Sequence, residues 1–159
     1  MAYELKADLL GKRPMSLIMY GPSRTGKTTW ARSLGNHLYF ERLLSAKVAI
    51  NGIDKADYAI FDDNSINHMP GWKSWFGSQP YIGLRQLHRD AVYVKWGKPI
   101  IWACNRDPRI DMRISINDER SHQWFQDDID WLDANCIFVE VTEPIVTFRA
   151  NRELTEGQI

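Results

Sequence analysis

A chain of 159 residues with 44% apolar and 25% charged side chains has the length and composition of one soluble domain with a true core. Its 20 basic and 20 acidic residues cancel, which excludes a uniformly basic nucleic-acid-coating surface but not a small basic loop repeated around an assembly. No run approaches the roughly 18 apolar residues of a membrane span, the start Met1-Ala2-Tyr3-Glu4-Leu5-Lys6 lacks a signal peptide's apolar segment, and Cys104 and Cys136 sit in apolar runs without metal-ligand company, as buried thiols of a reducing compartment do.

Residues 6–13 read as a short helix or linker, set off by Pro14 from a strand over 15–20. A glycine-rich turn follows, then a helix over 28–34 stopped by Gly35. Two short apolar stretches, 38–40 and 43–50, precede Tyr58-Ala59-Ile60-Phe61, a continuous apolar run of the kind a buried parallel strand needs. A helix over 70–76 opens with Pro70 and ends before Gly77. Strands 81–84 and 92–96 flank the charged tip 86–90 and predict a projecting β-hairpin, with Trp96 in the core. Residues 100–104 form another buried strand, 106–121 are polar and irregular, and Trp124, Phe125, Asp128, Trp131 and Leu132 recur at helical spacing before a last strand over 136–141. The tail 149–159 is polar and expected to fray, leaving 14–148 as the folded domain and 1–13 as a linker or oligomerisation segment.

The turn after the first strand, Gly21-Pro22-Ser23-Arg24-Thr25-Gly26-Lys27-Thr28, matches G-x-x-x-x-G-K-[ST] in full. Its glycines let backbone N–H groups converge with a helix N-terminus on polyphosphate. Lys27 brings a mobile positive charge to the β- and γ-phosphates, Thr28 offers a hydroxyl to Mg²⁺, and Thr29 is the next candidate of the nucleotide-binding set. Asp62 and Asp63 follow the apolar strand, where the carboxyl ends of parallel strands line a ligand crevice. Asp62 is assigned to the metal and Asp63 to the attacking water. Asn105, ending a further strand, would reach the same crevice with an amide that donates to phosphate and accepts from water. On the hairpin, His88, Arg89, Lys95 and Lys98 are candidate phosphate contacts for a single nucleic-acid strand.

The run 21–35, with Tyr58-Ala59-Ile60-Phe61-Asp62-Asp63, Val94-Lys95-Trp96-Gly97-Lys98-Pro99 and Ile100-Ile101-Trp102-Ala103-Cys104-Asn105, resembles Walker A, Walker B, B′ and motif C of the replication initiator (Rep) of geminiviruses and genomoviruses, in superfamily 3 helicase order. The resemblance spans about residues 10–148. It implies an α/β P-loop NTPase with an AAA+-like central parallel sheet, flanking helices and a projecting hairpin. It also implies a DNA helicase that binds ATP and Mg²⁺ between the subunits of a ring, usually a hexamer, and moves on single-stranded DNA in the host cell nucleus. No His-x-His pair of the family's nicking domain occurs, so an isolated helicase domain is expected. The neighbour-supplied Arg does not declare itself; among Arg106, Arg109, Arg113 and Arg120, Arg109 is preferred because Asp107-Pro108 could fix its loop. A P-loop small-molecule kinase and a nucleotide-gated interaction module remain the alternatives.

Overall fold

A computed structural model describes residues 13–114 and 119–145. In chain order these form β1 (Ser16–Tyr20), α1 (Lys27–Arg32), β2 (His37–Glu41), α2 (Ala46–Gly52), β3 (Tyr58–Asp62), a single 3-10 turn (Ile66–His68), α3 (Trp72–Phe76), β4 (Tyr81–Leu84), β5 (Val92–Lys95), β6 (Ile100–Cys104), α4 (Pro108–Ile114), α5 (Glu119–Asn135) and β7 (Cys136–Glu140). The segment expected over 6–13 lies, but for Arg13, outside the described residues, as does the tail 149–159.

Five strands pair in the order β2-β3-β6-β1-β7, every pair parallel. The apolar runs explain this: Ala59, Ile60, Phe61, Ile100 and Ile101 are wholly buried, as strands covered on both faces must be. One face packs on Phe40, Trp75, Phe76 and Trp102, the other on Met19, Ala31, Tyr58 and Ile101. Although α3 has only five residues, its Trp75 and Phe76 are fully buried and meet Phe61 with ring centroids 5.7 and 5.6 Å away. Such aromatic burial, rather than helix propensity, holds so short a helix in place.

The second sheet is the expected hairpin, β4 paired antiparallel with β5. Trp96 anchors its base in the core, 4.8 Å from Trp75 ring to ring. Both cysteines are buried free thiols, and burial pushes Cys136 up to about 12.

The elements differ from expectation at several points: α3 starts at Trp72, after Gly71 in the left-handed region, and not at Pro70, and α5 already begins at Glu119. The first helix ends at Arg32, short of Leu34. The 43–50 stretch is divided, with Ser45 capping α2 by accepting from the Val48 N–H at 3.3 Å. Within the segment read as irregular lies α4, whose start is coded by Asp107, which accepts from the Arg109 N–H at 2.9 Å, and by Pro108 in the first helical position.

Candidate functional site

The sheet order sets β3, β6 and β1 side by side, with Tyr20 level with Cys104 and Asp62 level with Ala103. The phosphate loop, Asp62 and Asn105 therefore leave the sheet at one edge, at adjacent strand termini. They line a common cleft of about 210 Å³, formed by residues 23–29, Asp62, Ala103 and Asn105.

The loop is braced from three sides. Gly21 N–H donates to the Cys104 carbonyl at 3.2 Å, Val141 N–H to the Tyr20 carbonyl at 2.7 Å, and Ile145 N–H to the Thr25 carbonyl at 2.7 Å. Gly26 takes φ 83° and caps α1, a left-handed conformation that glycine adopts without strain. Lys27 Nζ donates to the carbonyls of Gly21 (3.0 Å) and Pro22 (2.7 Å) and to Thr25 Oγ1 (3.1 Å), so the ammonium lies folded onto the loop it would serve. Burial lowers the Lys27 pKa, opposed by the negative charge of Asp62.

Asp62 Oδ2 accepts from Thr28 Oγ1 at 3.0 Å and from the Tyr39 hydroxyl at 2.5 Å. Burial, the hydrogen bond to Asp62 and the acid's charge keep the Tyr39 phenol protonated well above its ordinary range. A hydroxyl and a carboxylate together supply the hard oxygen donors that suit Mg²⁺. Among the described residues no cluster of three or more His, Cys, Asp or Glu forms a self-sufficient metal cage.

Other sequence candidates fall differently. Asp63 has φ 55°, its N–H donates to the Ala103 carbonyl, and its carboxylate, 56% exposed, pairs with Arg42 Nε at 3.4 Å outside the phosphate cleft. Arg109 is engaged within its own subunit instead of standing free for a neighbour. It donates from Nη2 to Asp107 at 2.8 Å and from Nη1 to Asp133 at 2.7 Å, and stacks on the Phe138 ring at 3.8 Å. Lys98 is likewise corrected: its Nζ donates to the carbonyl of Ile53 at 2.7 Å and to that of Ala56, closing the C-terminal end of α2, while lying over Trp96.

His88, Arg89 and Lys95 are exposed on the hairpin. Because directly opposed residues share a face, Tyr81 and Lys95 stand beside Gly83 and Tyr93, whereas Ile82 and Leu84 point into the core. Tyr93 is 76% exposed and its ring lies over Gly83, where a Cβ would stand 3.2 Å from the ring edge. Sequence reasoning missed Tyr93 and Tyr81, although alternation against the buried Ile82 and Leu84 carries the signal. It also missed Tyr39, for which no local pattern exists.

Taken together, the sheet and its phosphate loop define an α/β fold of the P-loop type. The chain is a relative of the viral replication-associated proteins: it is 34% identical over 131 residues to that of Tobacco yellow dwarf virus (strain Australia) and 34% identical over 127 residues to that of Bean yellow dwarf virus. Each match covers 80% of this chain but 34% of the relative, so the chain spans about a third of the length of the proteins it matches. No protein-family model matches it. Among the described residues no helix is long and apolar enough to cross a membrane.

Proposed function

We propose that this domain is the ATP-driven DNA helicase motor of a viral replication initiator. The observation that carries the reading is the contact of Thr28 with Asp62, 3.0 Å apart at the mouth of the phosphate loop, with Asn105 in the same cleft. Loop amides and Lys27 bind the polyphosphate, Lys27 exchanging its loop carbonyls for phosphate oxygens. Thr28 and Asp62 hold Mg²⁺, which when bound neutralises charge on the β- and γ-phosphate oxygens. Asn105 orients the γ-phosphate and the attacking water. Asp63 is the candidate acceptor of the water's proton, a role that requires its carboxylate to leave Arg42 and turn into the phosphate cleft.

Lys95, His88 and Arg89 on the hairpin contact backbone phosphates of single-stranded DNA, and Tyr93 offers a face to a base. A neutral chain grips DNA in this way when a ring, a hexamer in this reading, presents several hairpins to one strand. With Arg109 occupied by Asp107 and Asp133, the arginine that completes the neighbour's site is sought elsewhere.

ATP turnover measured against protein concentration, with and without single-stranded DNA, tests the reading. Turnover that rises with assembly and with DNA, and disappears in Lys27→Ala, is expected. Phosphoryl transfer to a small acceptor without DNA stimulation would favour the kinase, and nucleotide binding without turnover at any concentration the interaction module.

A further inference from the structure

We propose that Tyr39 is a positioning residue of the nucleotide-metal site, its hydroxyl fixing Oδ2 of Asp62 so that the carboxylate presents its other oxygen toward the ion. The inference rests on the reading of this cleft as a magnesium-nucleotide site.

Two hydroxyls converge on the same carboxylate oxygen, Thr28 at 3.0 Å and Tyr39 at 2.5 Å, and no hydrogen bond among the described residues occupies Oδ1. A carboxylate held by a single donor can rotate about its χ2 torsion, whereas two donors from different elements fix both the plane of the group and the oxygen that remains available. Thr28 comes from α1 and Tyr39 from β2, and Asp62 ends β3 between them. While its proton points to Asp62, the Thr28 hydroxyl keeps lone pairs for a cation. Tyr39 lets Thr28 play that double part, because Asp62 need not depend on Thr28 alone for its orientation.

Tyr39 is itself held in place. It pairs with Ile60 in the β2–β3 register, so its phenol reaches along the strands toward Asp62. The Arg32 guanidinium covers its ring at 4.1 Å from the centroid. Arg32 is the last residue of α1, the helix that begins with Lys27. The chain of contacts Arg32, Tyr39, Asp62, Thr28 thus leaves the phosphate-loop helix near its end and returns to it at its start. Partners of a metal ligand contribute about 10–100-fold in metal affinity when removed.

The test uses the full chain and a fluorescent ATP analogue, with affinity measured in EDTA and across a magnesium titration. Tyr39→Phe keeps the ring and its contact with Arg32, so affinity in EDTA should stay within about 2-fold, while the magnesium concentration giving half the enhancement rises about 10-fold. In an Asp62→Asn background, Tyr39→Phe should change the magnesium response no further. An unaltered magnesium response in Tyr39→Phe, or effects that simply multiply in the double variant, would overturn the proposal. Should Tyr39→Phe melt at a much lower temperature, the Asp62→Asn comparison still separates loss of packing from loss of positioning, since only positioning disappears with the carboxylate. Wild-type protein whose nucleotide affinity ignores magnesium sinks both this inference and the magnesium site. Magnesium-coupled binding without DNA-stimulated turnover sinks the helicase reading and leaves Tyr39 its role.

Discussion

Gly21 approaches Val141 so closely that a Cβ on the glycine would stand 2.1 Å from the Val141 carbonyl oxygen. The atom in the way is backbone, at the end of β7, and its own N–H is tied to Tyr20 at 2.7 Å, so it cannot swing aside. Gly21 is thus demanded by the neighbouring strand as much as by any phosphate.

Gly21→Ala should therefore destabilise the fold even without nucleotide, by about 2–4 kcal/mol, combining backbone strain with overpacking. Gly97→Ala is the control: Gly97 also has positive φ, 72°, but a Cβ there meets nothing within 4 Å, so its loss should be only about 1 kcal/mol. Chemical denaturation of both variants checks this, and equal losses would contradict the steric account.

Two lysines three residues apart, Lys95 at the end of the hairpin and Lys98 just beyond it, should behave oppositely. Lys98→Ala removes the charged donor to the carbonyls of Ile53 and Ala56 and should cost about 1.5–3 kcal/mol of stability, with little change in DNA affinity for the folded fraction. Lys95→Ala, on the exposed face, should leave the melting temperature within about 1 °C, since surface changes are nearly neutral. It should weaken single-stranded DNA binding and shrink the salt dependence by about one phosphate contact per subunit. Fluorescence anisotropy at several salt concentrations, beside thermal melts, decides the pair.

That contrast marks where the sequence is legible. That the glycine-rich loop, Asp62 and Asn105 meet in one cleft could be read because each belongs to a short local pattern whose position at a strand terminus follows from the apolar run before it. Strand alternation likewise separates Lys95 from the buried Trp96 and puts Lys98 on the side of Trp96; what it does not supply is the partner, because the carbonyls of Ile53 and Ala56 come from the end of α2, far away in the chain. Helix α4 has a cap signal in Asp107 and Pro108 but a weak stripe, with Met112 buried and Ile110 44% exposed, so its apolar spacing did not declare a helix. Tyr39 acts across β2 and β3, through a strand pairing that no single segment encodes.

Arg109 yields a prediction in pH. Burial alone would raise the Asp107 carboxyl, but the hydrogen bonds and charge of Arg109 outweigh it and the net shift is downward from 3.8. A depressed folded-state value means stability that is fully present above the ordinary carboxylate range and lost as pH falls through the lowered value. Arg109→Ala should cost about 2 kcal/mol at neutral pH, where the half-buried Asp107 loses its charged partner and keeps only the backbone N–H of residue 109. The melting-temperature gap between wild type and variant should be widest near pH 7 and narrow below about pH 4. A gap that stays constant with pH would assign Arg109 to packing on Phe138 alone.

On the hairpin, the proposed base contact separates from the phosphate contact by chemistry. The Tyr93 ring lies over Gly83, and a Cβ there, 3.2 Å from the ring edge, would shift the ring by a few tenths of an ångström. Stacking on an aromatic side chain is worth about 1–3 kcal/mol per base, and it needs the base but not the sugar-phosphate. Tyr93→Ala should therefore weaken binding to a thymidine oligonucleotide roughly 5- to 100-fold, with the salt slope unchanged because no phosphate contact is lost. The same substitution should leave binding to an abasic strand of equal length almost unaffected, and Gly83→Ala should reproduce part of the Tyr93→Ala loss by tilting the ring. Lys95→Ala should weaken both strands alike. Equal losses on thymidine and abasic strands in Tyr93→Ala would mean that the tyrosine shapes the hairpin instead of meeting a base.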